Sequence, residues 1–443
     1  ELLLGKSFRK KVEFVEHAQY WSIDQIRHYQ IKKLKAVLSL ASEKSIYYRN
    51  AFQAVGFNPD DLKTLEDFHR LPTIDRNTVR DHLPQMCTGL TNGSDVDYAT
   101  TGGTGGEPLA FYLTKQRSAI EYAYLTISWK RVGYELTMPL AVFRGRIVKP
   151  GRDGFYYQYD PLLKYHYYSN FHMTDDNMGK YLDHLATLGL CFLHVYPSSA
   201  MALARFIRRN HRTPPANIRG IIAESEIVYP DQRTLIESTF GTRLFSLYGH
   251  SEKLVLACEC EHSTDYHVWP TYGYFELLDP GGHPVTVPGR QGEIVGTGFI
   301  STIVPFIRYR TGDYATYVAD HCSLCGRRHP IIRDIRGHRI QEMLITKEGS
   351  AISWTAMNMH DDTFDHVRQF QFYQDTPGRG VLKIVPSANF NQNDSQRICR
   401  NLQEKFAGQF DFTIELCDKI SLSPRGKAIF VDQRISKPTT QES

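Results

Sequence analysis

The sequence predicts an α/β fold: a large N-terminal domain with parallel sheets and a distorted β subdomain, followed by a small α+β C-terminal domain. Three observations predict it. The chain has 443 residues, more than one domain of about 100–200 residues needs. Short apolar runs alternate with helical stretches between residues 190 and 247, and short strands with turn signals follow residue 267. We place the domain boundary after residue 338, giving domains 1–338 and 339–443.

The parallel sheet is predicted from three apolar runs, Leu190–Val195, Ile218–Ala223 and Leu244–Leu247. Helical stretches separate them, and the second stretch has Pro230 near its start and Gly241 at its end. Strands and helices that alternate at this spacing indicate parallel strands. Ligands of such sheets bind beyond the carboxyl ends of the strands. We therefore expect a binding site near Tyr196, residues 224–226 and residues 248–252.

Local signals predict the remaining elements. A helix over 22–42 starts at a capping box. Turns are expected at Asp279-Pro-Gly-Gly and Gly289-Arg-Gln-Gly, and hairpins at Lys347-Glu-Gly and Pro377-Gly-Arg-Gly. A helix near 394–406 and a strand near 411–417 complete the C-terminal domain.

Bulk composition excludes several classes of protein. Hydrophobic residues make up 41% and charged residues 23% of the chain, and the net charge is +4, too small to predict nucleic acid as a partner. We see no apolar run of the roughly 18–20 residues that a membrane span needs. Scattered single cysteines with two close pairs are typical of a reducing compartment, so we expect a cytoplasmic protein.

The first chemical motif is Thr100-Thr-Gly-Gly-Thr-Gly-Gly-Glu-Pro108. Its backbone amides and hydroxyls suit phosphate oxygens, although a flexible surface loop would have the same composition.

The second motif is Tyr248-Gly-His-Ser-Glu252, at the end of the third predicted strand. Its ring can stack on a base and its carboxylate can hold Mg²⁺; an ordinary strand-to-loop junction is the alternative.

The third motif is Pro305-Phe-Ile-Arg-Tyr-Arg-Thr-Gly-Asp313. An aspartate beyond a strand suits ribose hydroxyls, whereas Arg308 or Arg310 could belong to a surface salt-bridge ladder.

The fourth motif, Ser423-Pro-Arg-Gly-Lys427, places a lysine where a loop can carry it into a site. By itself this lysine could equally be solvated.

In this order the four motifs resemble the adenylate-forming superfamily of acyl-CoA synthetases and adenylation domains. More narrowly, the chain looks like the phenylacetate–CoA ligase branch and its CapK-type capsular polysaccharide relatives. The resemblance covers nearly the whole chain and includes Ser45-Ile-Tyr-Tyr-Arg49, Leu71-Pro-Thr-Ile74 and Tyr196-Pro-Ser-Ser199. The tail, with Ile352-Ser353, Phe370-Gln-Phe372 and Arg425-Gly-Lys427, resembles the CapK-type group most.

The resemblance implies a role for each candidate residue. The phosphates of ATP would be cradled by Thr101, Gly102, Gly103, Thr104 and Gly105. The rest of the nucleotide would be met by Glu226 and Tyr248 around adenine, Asp313 at the ribose, and Arg339 at ribose or phosphate. Catalysis would depend on Glu252, which binds Mg²⁺, and Lys427, which bridges carboxylate and α-phosphate. The resemblance also implies that the small C-terminal domain is mobile, with a hinge between the domains at Gln341 and Glu342. Position alone suggests His172, Tyr196 and Glu224 for the substrate pocket.

The implied reaction begins with attack of a small-molecule carboxylate on the α-phosphorus of ATP, which releases pyrophosphate. Coenzyme A is then the expected acceptor of the acyl group. A carrier-protein thiol or an amine, such as an amino sugar, is the alternative acceptor. A non-catalytic zinc-containing binding protein is a distant alternative, because two cysteine pairs and a pI near 8.5 are its only support.

A structural zinc site is predicted from Cys258, Cys260 and His267 in one segment and Cys322-Ser-Leu-Cys325 in another. Two thiolates at Cys-x-x-Cys spacing occupy two corners of a tetrahedron, and a further Cys/His pair completes it. The spacing leaves Cys258 and Cys260 as alternatives. The phenylacetate–CoA ligase branch often shows a similar Cys-x₆-His, which favours Cys260, so the predicted ligands are Cys260, His267, Cys322 and Cys325.

Overall fold

The computed structural model describes residues 5–101, 109–337, 343–357, 359, 361–420 and 430–435. Its α-helices are α1 (Gly5–Ala18), α2 (Ile23–Lys44), α3 (Ile46–Ala54), α4 (Leu65–Phe68), α5 (Arg76–Met86), α6 (Arg117–Lys130), α7 (Asp175–Thr187), α8 (Pro197–Arg209), α9 (Pro230–Phe240), α10 (Trp354–Met357) and α11 (Gln392–Phe406).

Its strands are β1 (Val96–Thr101), β2 (Leu109–Thr114), β3 (Leu140–Phe143), β4 (Tyr157–Asp160), β5 (Tyr165–Tyr168), β6 (Cys191–Val195), β7 (Ile218–Ala223), β8 (Leu244–Gly249), β9 (Leu256–Cys258), β10 (Tyr266–Val268), β11 (Gly273–Leu278), β12 (Gln291–Gly298), β13 (Tyr309–Ala319), β14 (Ile331–Arg336), β15 (Met343–Ile345), β16 (Ala351–Ser353), β17 (Val367–Thr376), β18 (Arg379–Pro386), β19 (Asp411–Leu416) and β20 (Val431–Gln433). The predicted α/β class is confirmed.

The chain forms two compact units. Unit 1 comprises Glu1–Ala99, Leu109–Leu136 and Phe245–His338, and unit 2 comprises Thr100–Pro108, Thr137–Leu244 and Arg339–Ser443. The chain passes from unit 1 to unit 2 at the predicted boundary after residue 338, but unit 2 also includes a long middle segment. The division into domains 1–338 and 339–443 stays a prediction.

Unit 1 is built on antiparallel strands in the order β11-β12-β13-β14-β10-β9-β8. The turn from β11 to β12 has Gly282 at φ +82°, and Gly289 follows it with the same φ, a backbone conformation that glycine adopts without strain. The turns expected at Asp279 and Gly289 are therefore present. Helices α2, α3 and α5 contribute Leu34, Phe52 and other apolar side chains to a core shared with these strands.

Unit 2 contains two of the three predicted parallel strands, β6 and β7; the third, β8, lies almost wholly in unit 1 and pairs antiparallel with β9. β6 pairs in parallel with β7 and with β3, and β3 pairs in parallel with β5. β6 is buried at every position, as expected of a parallel strand covered on both faces. Helix α9 begins at Pro230 and ends at Phe240, and the predicted stop, Gly241, caps it in the left-handed conformation at φ +63°.

The C-terminal part of unit 2 has the sheet order β19-β18-β17-β20 and a separate β15-β16 hairpin. Gly349 and Gly378 have φ of +80° and +71° in the two predicted hairpin turns. The predicted helix near 394–406 is α11, and the predicted strand near 411–417 is β19.

Helix α2 shows its predicted cap. Ser22 accepts a hydrogen bond from the backbone N–H of Gln25, and the Gln25 side chain accepts one from the backbone of Ser22, which is a capping box. Among the described helices, none combines the length and hydropathy that a membrane span requires.

Candidate active site

The predicted phosphate loop connects β1 to β2, which pair with each other. Thr101 ends β1 and is buried. Its neighbour Thr100 is held in unit 2, because its hydroxyl lies 3.0 Å from the carbonyl oxygen of Met359 and 2.9 Å from that of Asp361. The residue just before the start of the loop segment is thus fixed within unit 2. Gly102, Gly103, Thr104 and Gly105 lie outside the described residues.

The second and third motifs meet in unit 1. Tyr248, near the end of β8, donates a hydrogen bond of 2.9 Å from its hydroxyl to Oδ2 of Asp313 on β13. Burial, followed by the nearby Asp313 carboxylate, raises the pKa of Tyr248 well above its usual value, so the hydroxyl keeps its proton and remains a donor. The Asp313 backbone N–H also donates to Thr311 Oγ1, at 3.1 Å. Two predicted nucleotide-binding residues, 65 positions apart in the chain, are therefore one hydrogen-bonded pair.

Glu252, the predicted Mg²⁺ ligand, is a buried, ionised carboxylate. Burial by itself would raise its pKa, but His250 and the Arg76 charge help to hold the pKa at about 2. The Tyr309 hydroxyl lies 3.4 Å from Oε1, and His250 Nδ1 lies 3.5 Å from Oε2. A carboxylate that stays charged while buried suits a divalent cation, which prefers oxygen ligands.

Arg308 does not belong to a surface ladder, one of the alternatives that its sequence left open. Its side chain is buried, donates to Glu276 at 2.8 and 3.1 Å and to the carbonyl of His69 at 2.8 Å, and also bonds the carbonyl of Leu71. No sequence pattern indicates this burial, because the charged partner is 32 residues away on β11. Arg308 therefore anchors the start of the Asp313 strand to an N-terminal segment.

The N-terminal segments that support the resemblance brace the same strand. The buried Tyr48 hydroxyl donates to the carbonyl of Pro305 at 2.6 Å and accepts from the N–H of Ile307 at 3.3 Å. Ile74 donates to the Arg308 carbonyl at 3.1 Å and accepts from the backbone of Arg310 at 2.8 Å. These motifs position the third motif rather than contribute chemistry of their own.

In unit 2, polar side chains gather at the carboxyl ends of three parallel strands. Arg144 follows β3, Tyr196 follows β6 and Glu224 follows β7. Arg144 Nη1 lies 2.8 Å from both Glu224 Oε2 and His194 Nε2, and Nη2 donates to Ser225 Oγ at 2.7 Å. The guanidinium also lies 5.3 Å from the centre of the Tyr196 ring, within the range of a cation–π contact.

Sequence analysis identified two residues of this cluster, Tyr196 and Glu224, and missed Arg144 and His194. The signal for Arg144 was present: it directly follows a short apolar run, residues 139–143, as Glu224 follows β7. His194 lies inside β6 and has no comparable signal. Burial, then the neighbouring Arg144 charge, lowers the pKa of His194, which favours a neutral ring.

Glu226, predicted near adenine, holds the start of α8. Its carboxylate accepts hydrogen bonds of 2.9 Å from both the backbone N–H and the hydroxyl of Ser198, the second residue of that helix. Burial raises the pKa of Glu226, and the hydrogen bonds from Ser353 and Ser198 offset only part of this effect. Its adenine role stays a prediction.

His172, predicted in the substrate pocket, is buried. Its Nδ1 lies 2.8 Å from the Ser169 hydroxyl, and its ring stacks on Tyr156 with centroids 3.8 Å apart. Burial lowers its pKa. These contacts describe a packed side chain, and its pocket role stays a prediction.

The predicted zinc ligands converge in unit 1. One ligand atom from each of Cys260, His267, Cys322 and Cys325 lies within 4.8 Å of the others. Cys258 is not among them: its sulfur lies 3.0 Å from Arg131 Nη1 and 3.3 Å from the Ser128 hydroxyl. Cys260 is therefore the cysteine of that pair in the cluster, as predicted.

The remaining predicted residues, Arg339, Gln341, Glu342 and Lys427, lie outside the described residues.

Comparison with known proteins accords with this geometry. A family model of the CapK C-terminal domain matches residues 344–434. Phenylacetate-coenzyme A ligase of Pseudomonas putida is 27% identical over 296 residues, which cover 66% of this chain and 66% of that protein. The match thus spans just under two thirds of that relative's length.

Two further proteins cover more of the chain. Phenylacetate-coenzyme A ligase of Thermus thermophilus is 24% identical over 424 residues, 91% of this chain and 94% of that protein. The structure of 2-hydroxyisobutyryl-CoA ligase in complex with 2-HIB-AMP and CoA has a TM-score of 0.61 at 20% identity, covering 94% of this chain and 91% of that one. This chain is therefore similar to phenylacetate–coenzyme A ligases over most of its length, has the fold of 2-hydroxyisobutyryl-CoA ligase, and matches the model of the CapK C-terminal domain over residues 344–434.

Proposed function

We propose that this chain is an adenylate-forming ligase, which activates a carboxylic acid with ATP as the acyl-adenylate and then transfers the acyl group to the thiol of coenzyme A. The observation that carries the proposal is the hydrogen bond between Tyr248 and Asp313. It joins two motifs that are distant in sequence into the polar pair that the resemblance assigns to the nucleotide. Homologues named as CoA ligases support both half-reactions.

In the first half-reaction a carboxylate oxygen of the acid forms a bond to the α-phosphorus of ATP, and the bond from that phosphorus to pyrophosphate breaks. Asp313 would accept hydrogen bonds from the ribose. Glu252 would hold Mg²⁺, which offsets phosphate charge, and Lys427 would contact the reacting α-phosphate. Positioning and charge neutralisation supply the rate in such a reaction, because the protein forms no covalent bond itself.

In the second half-reaction a thiolate attacks the acyl carbonyl and AMP leaves. Coenzyme A is the acceptor that the named homologues favour. The match to a CapK C-terminal domain keeps a carrier-protein thiol or an amine, such as an amino sugar, as the second candidate. Product analysis with each acceptor decides between them: the adenylate should be consumed, with AMP released, only when the true acceptor is present.

The cluster around Arg144 indicates the class of acid. Arg144, His194, Glu224 and Ser225 place a cation, an imidazole, a carboxylate and a hydroxyl at the strand ends where ligands of parallel sheets bind. An apolar ring or a long alkyl chain here would bury these groups without replacing their contacts with water, which is costly. The acid should therefore carry a polar group that forms hydrogen bonds with this cluster.

We further propose a structural zinc ion held by Cys260, His267, Cys322 and Cys325. Three thiols and an imidazole are a donor set typical of zinc. His267 Nδ1 lies 3.8 Å from the Cys325 sulfur, and Cys260 Sγ accepts a hydrogen bond from the His262 backbone at 3.3 Å. Four protein ligands leave no position for water, so the ion would tie two segments of unit 1 together and take no part in the reaction.

The test is pyrophosphate release from ATP and Mg²⁺ with a panel of aryl, fatty, hydroxy and amino acids. An adenylate-forming ligase releases pyrophosphate only when its acid is present, and we expect the polar acids to give the highest kcat/KM. Release that no acid stimulates would reject the proposed function. Stimulation greatest with phenylacetate or a fatty acid would reject the polar class of substrate alone.

A further inference from the structure

A fully enclosed arginine lies beside the predicted zinc ligands. Arg131, at the end of α6, is only 6% exposed. Its Nη1 donates to the Cys258 sulfur at 3.0 Å and to the Glu259 carbonyl at 3.2 Å. Its Nε and Nη2 find no hydrogen-bond acceptor among the described residues. The guanidinium also lies 4.8 Å from the centre of the Trp269 ring, which attracts the cation but carries no net charge.

A second buried arginine lies in the same place. Arg327, two residues after Cys325, has a side chain that is 3% exposed. It makes two hydrogen bonds of 2.7 Å to the carboxylate of Glu261, and further bonds to Gln19 at 2.8 Å and to the Tyr20 hydroxyl at 3.1 Å. The carboxylate of Glu261 is thus hydrogen-bonded to Arg327, whereas the two hydrogen bonds of Arg131 go to a sulfur and a carbonyl oxygen.

Both arginines adjoin the segments that carry the predicted ligands. Arg131 donates to the sulfur of Cys258, two residues before Cys260, and Arg327 lies two residues after Cys325. Rings also connect the two places: the His329 ring lies 5.0 Å from that of Trp269 and 6.3 Å from that of His267. The two guanidinium groups and the four ligands therefore form one buried electrostatic unit.

The charge of Arg131 has no carboxylate as a hydrogen-bond partner among the described residues. A buried charge without a partner of opposite charge is strongly destabilising. Three thiolates and a neutral imidazole around Zn²⁺ carry one net negative charge. The metal-loaded cluster would therefore offset the charge of Arg131, whereas four neutral thiol and imidazole groups would not.

We infer that Arg131 is a positioning residue of the zinc centre, whose buried charge stabilises the three-thiolate cluster, while Glu261 limits the same effect of Arg327. The inference rests on the zinc ion proposed above and goes beyond its ligands. Groups outside the ligand set commonly change metal affinity by about 10- to 100-fold. Here the direction of each change in zinc affinity follows from charge. A buried cation stabilises the negatively charged thiolate cluster, and a buried anion destabilises it.

The experiment uses the full chain as purified and measures zinc release to a chromogenic chelator, alongside zinc content by elemental analysis and circular dichroism. In Arg131→Met the charge is removed and an apolar stem is kept; we expect release to be about 10- to 100-fold faster. In Arg131→Lys the charge is kept, and release should stay within about threefold of wild type. In Glu261→Gln the anion beside Arg327 is removed with its shape retained, and release should become slower.

The two substitutions are expected to change zinc release in opposite directions. This distinguishes an effect of charge from a packing role, because a loss of packing would accelerate zinc release in Glu261→Gln as well. Acceleration in that variant, or wild-type release from folded Arg131→Met, would overturn the inference. If Arg131→Met does not fold, Arg131→Lys and Glu261→Gln still test the inference, because zinc release should be near the wild-type rate in the first and slower in the second. Wild-type protein without zinc would instead overturn the zinc centre, so the two failures are distinguishable.

Discussion

Replacing Tyr248 with Phe should weaken ATP binding without disturbing the acid. The substitution removes only the hydroxyl that donates to Asp313 at 2.9 Å and leaves the ring in place. Without this donor, the carboxylate turns toward water or other partners in the free protein. It must then be reoriented each time ATP binds, so the cost appears in the KM for ATP.

The magnitude follows from the strength of the bond. A hydrogen bond to a charged group contributes about 1.5–3 kcal/mol, and 1.4 kcal/mol corresponds to about a tenfold change in affinity. Because Asp313 keeps its backbone bond to Thr311, part of its orientation survives the substitution. We expect the KM for ATP to rise about tenfold, and Asp313→Ala, which removes the carboxylate itself, to raise it further.

The chain offers a matched control for this substitution. Tyr317, on the same strand, donates from its hydroxyl to Asp320 at 2.8 Å, so Tyr317→Phe breaks an equivalent bond outside the motif. Initial rates of pyrophosphate release, with ATP and acid varied in turn, should show a raised KM for ATP in the Tyr248 variant only. An unchanged KM for ATP in Tyr248→Phe, or an equal rise for ATP and acid, would refute the reasoning.

Three further predictions concern Lys427, Arg308 and Arg144. Lys427→Ala should lower the rate of adenylate formation by on the order of 3–4 kcal/mol of transition-state stabilisation with an unchanged circular dichroism spectrum; acid-dependent exchange at the wild-type rate would reject the assignment. Arg308→Met should destabilise the fold by about 3–5 kcal/mol in urea unfolding, because it removes the arginine partner of the buried Glu276 and leaves only the His69 imidazole, 3.6 Å away. Adding Glu276→Gln should recover part of the loss, and a single variant as stable as wild type would contradict this. Arg144→Met should raise the KM for the acid more than the KM for ATP, and the reverse order in steady-state kinetics would exclude Arg144 from the acyl pocket.

The local features of the fold could be predicted from sequence because their causes are local. The capping box at Ser22, the proline that opens α9 and the glycine that ends it each act within a few residues. Alternation of apolar runs with helices likewise located β6 and β7 to within a residue. The placement of residues 137–244 in one unit with the C-terminal segment depends on contacts between distant segments, for which the sequence carries no periodic signal.

The site shows the same division. Asp313 was singled out by its motif and its place beyond a strand, and Cys260 by the resemblance, because spacing alone left Cys258 as an alternative; the structure brings each to a partner predicted with it. For Arg308 a surface salt-bridge ladder stayed open, since nothing near it in the chain indicates that Glu276 is buried beside it. Arg131 was missed for a related reason: its neighbours in the cluster come from segments more than a hundred residues later.

The central claim is that the chain joins a carboxylic acid to AMP. Exchange of radiolabelled pyrophosphate into ATP tests it most directly, because this exchange reports the first half-reaction without any acceptor. With ATP, Mg²⁺ and a polar acid, we predict label in ATP that depends on the acid and is lost in Lys427→Ala. Folded wild-type protein that catalyses no exchange with any acid of the panel would contradict the claim.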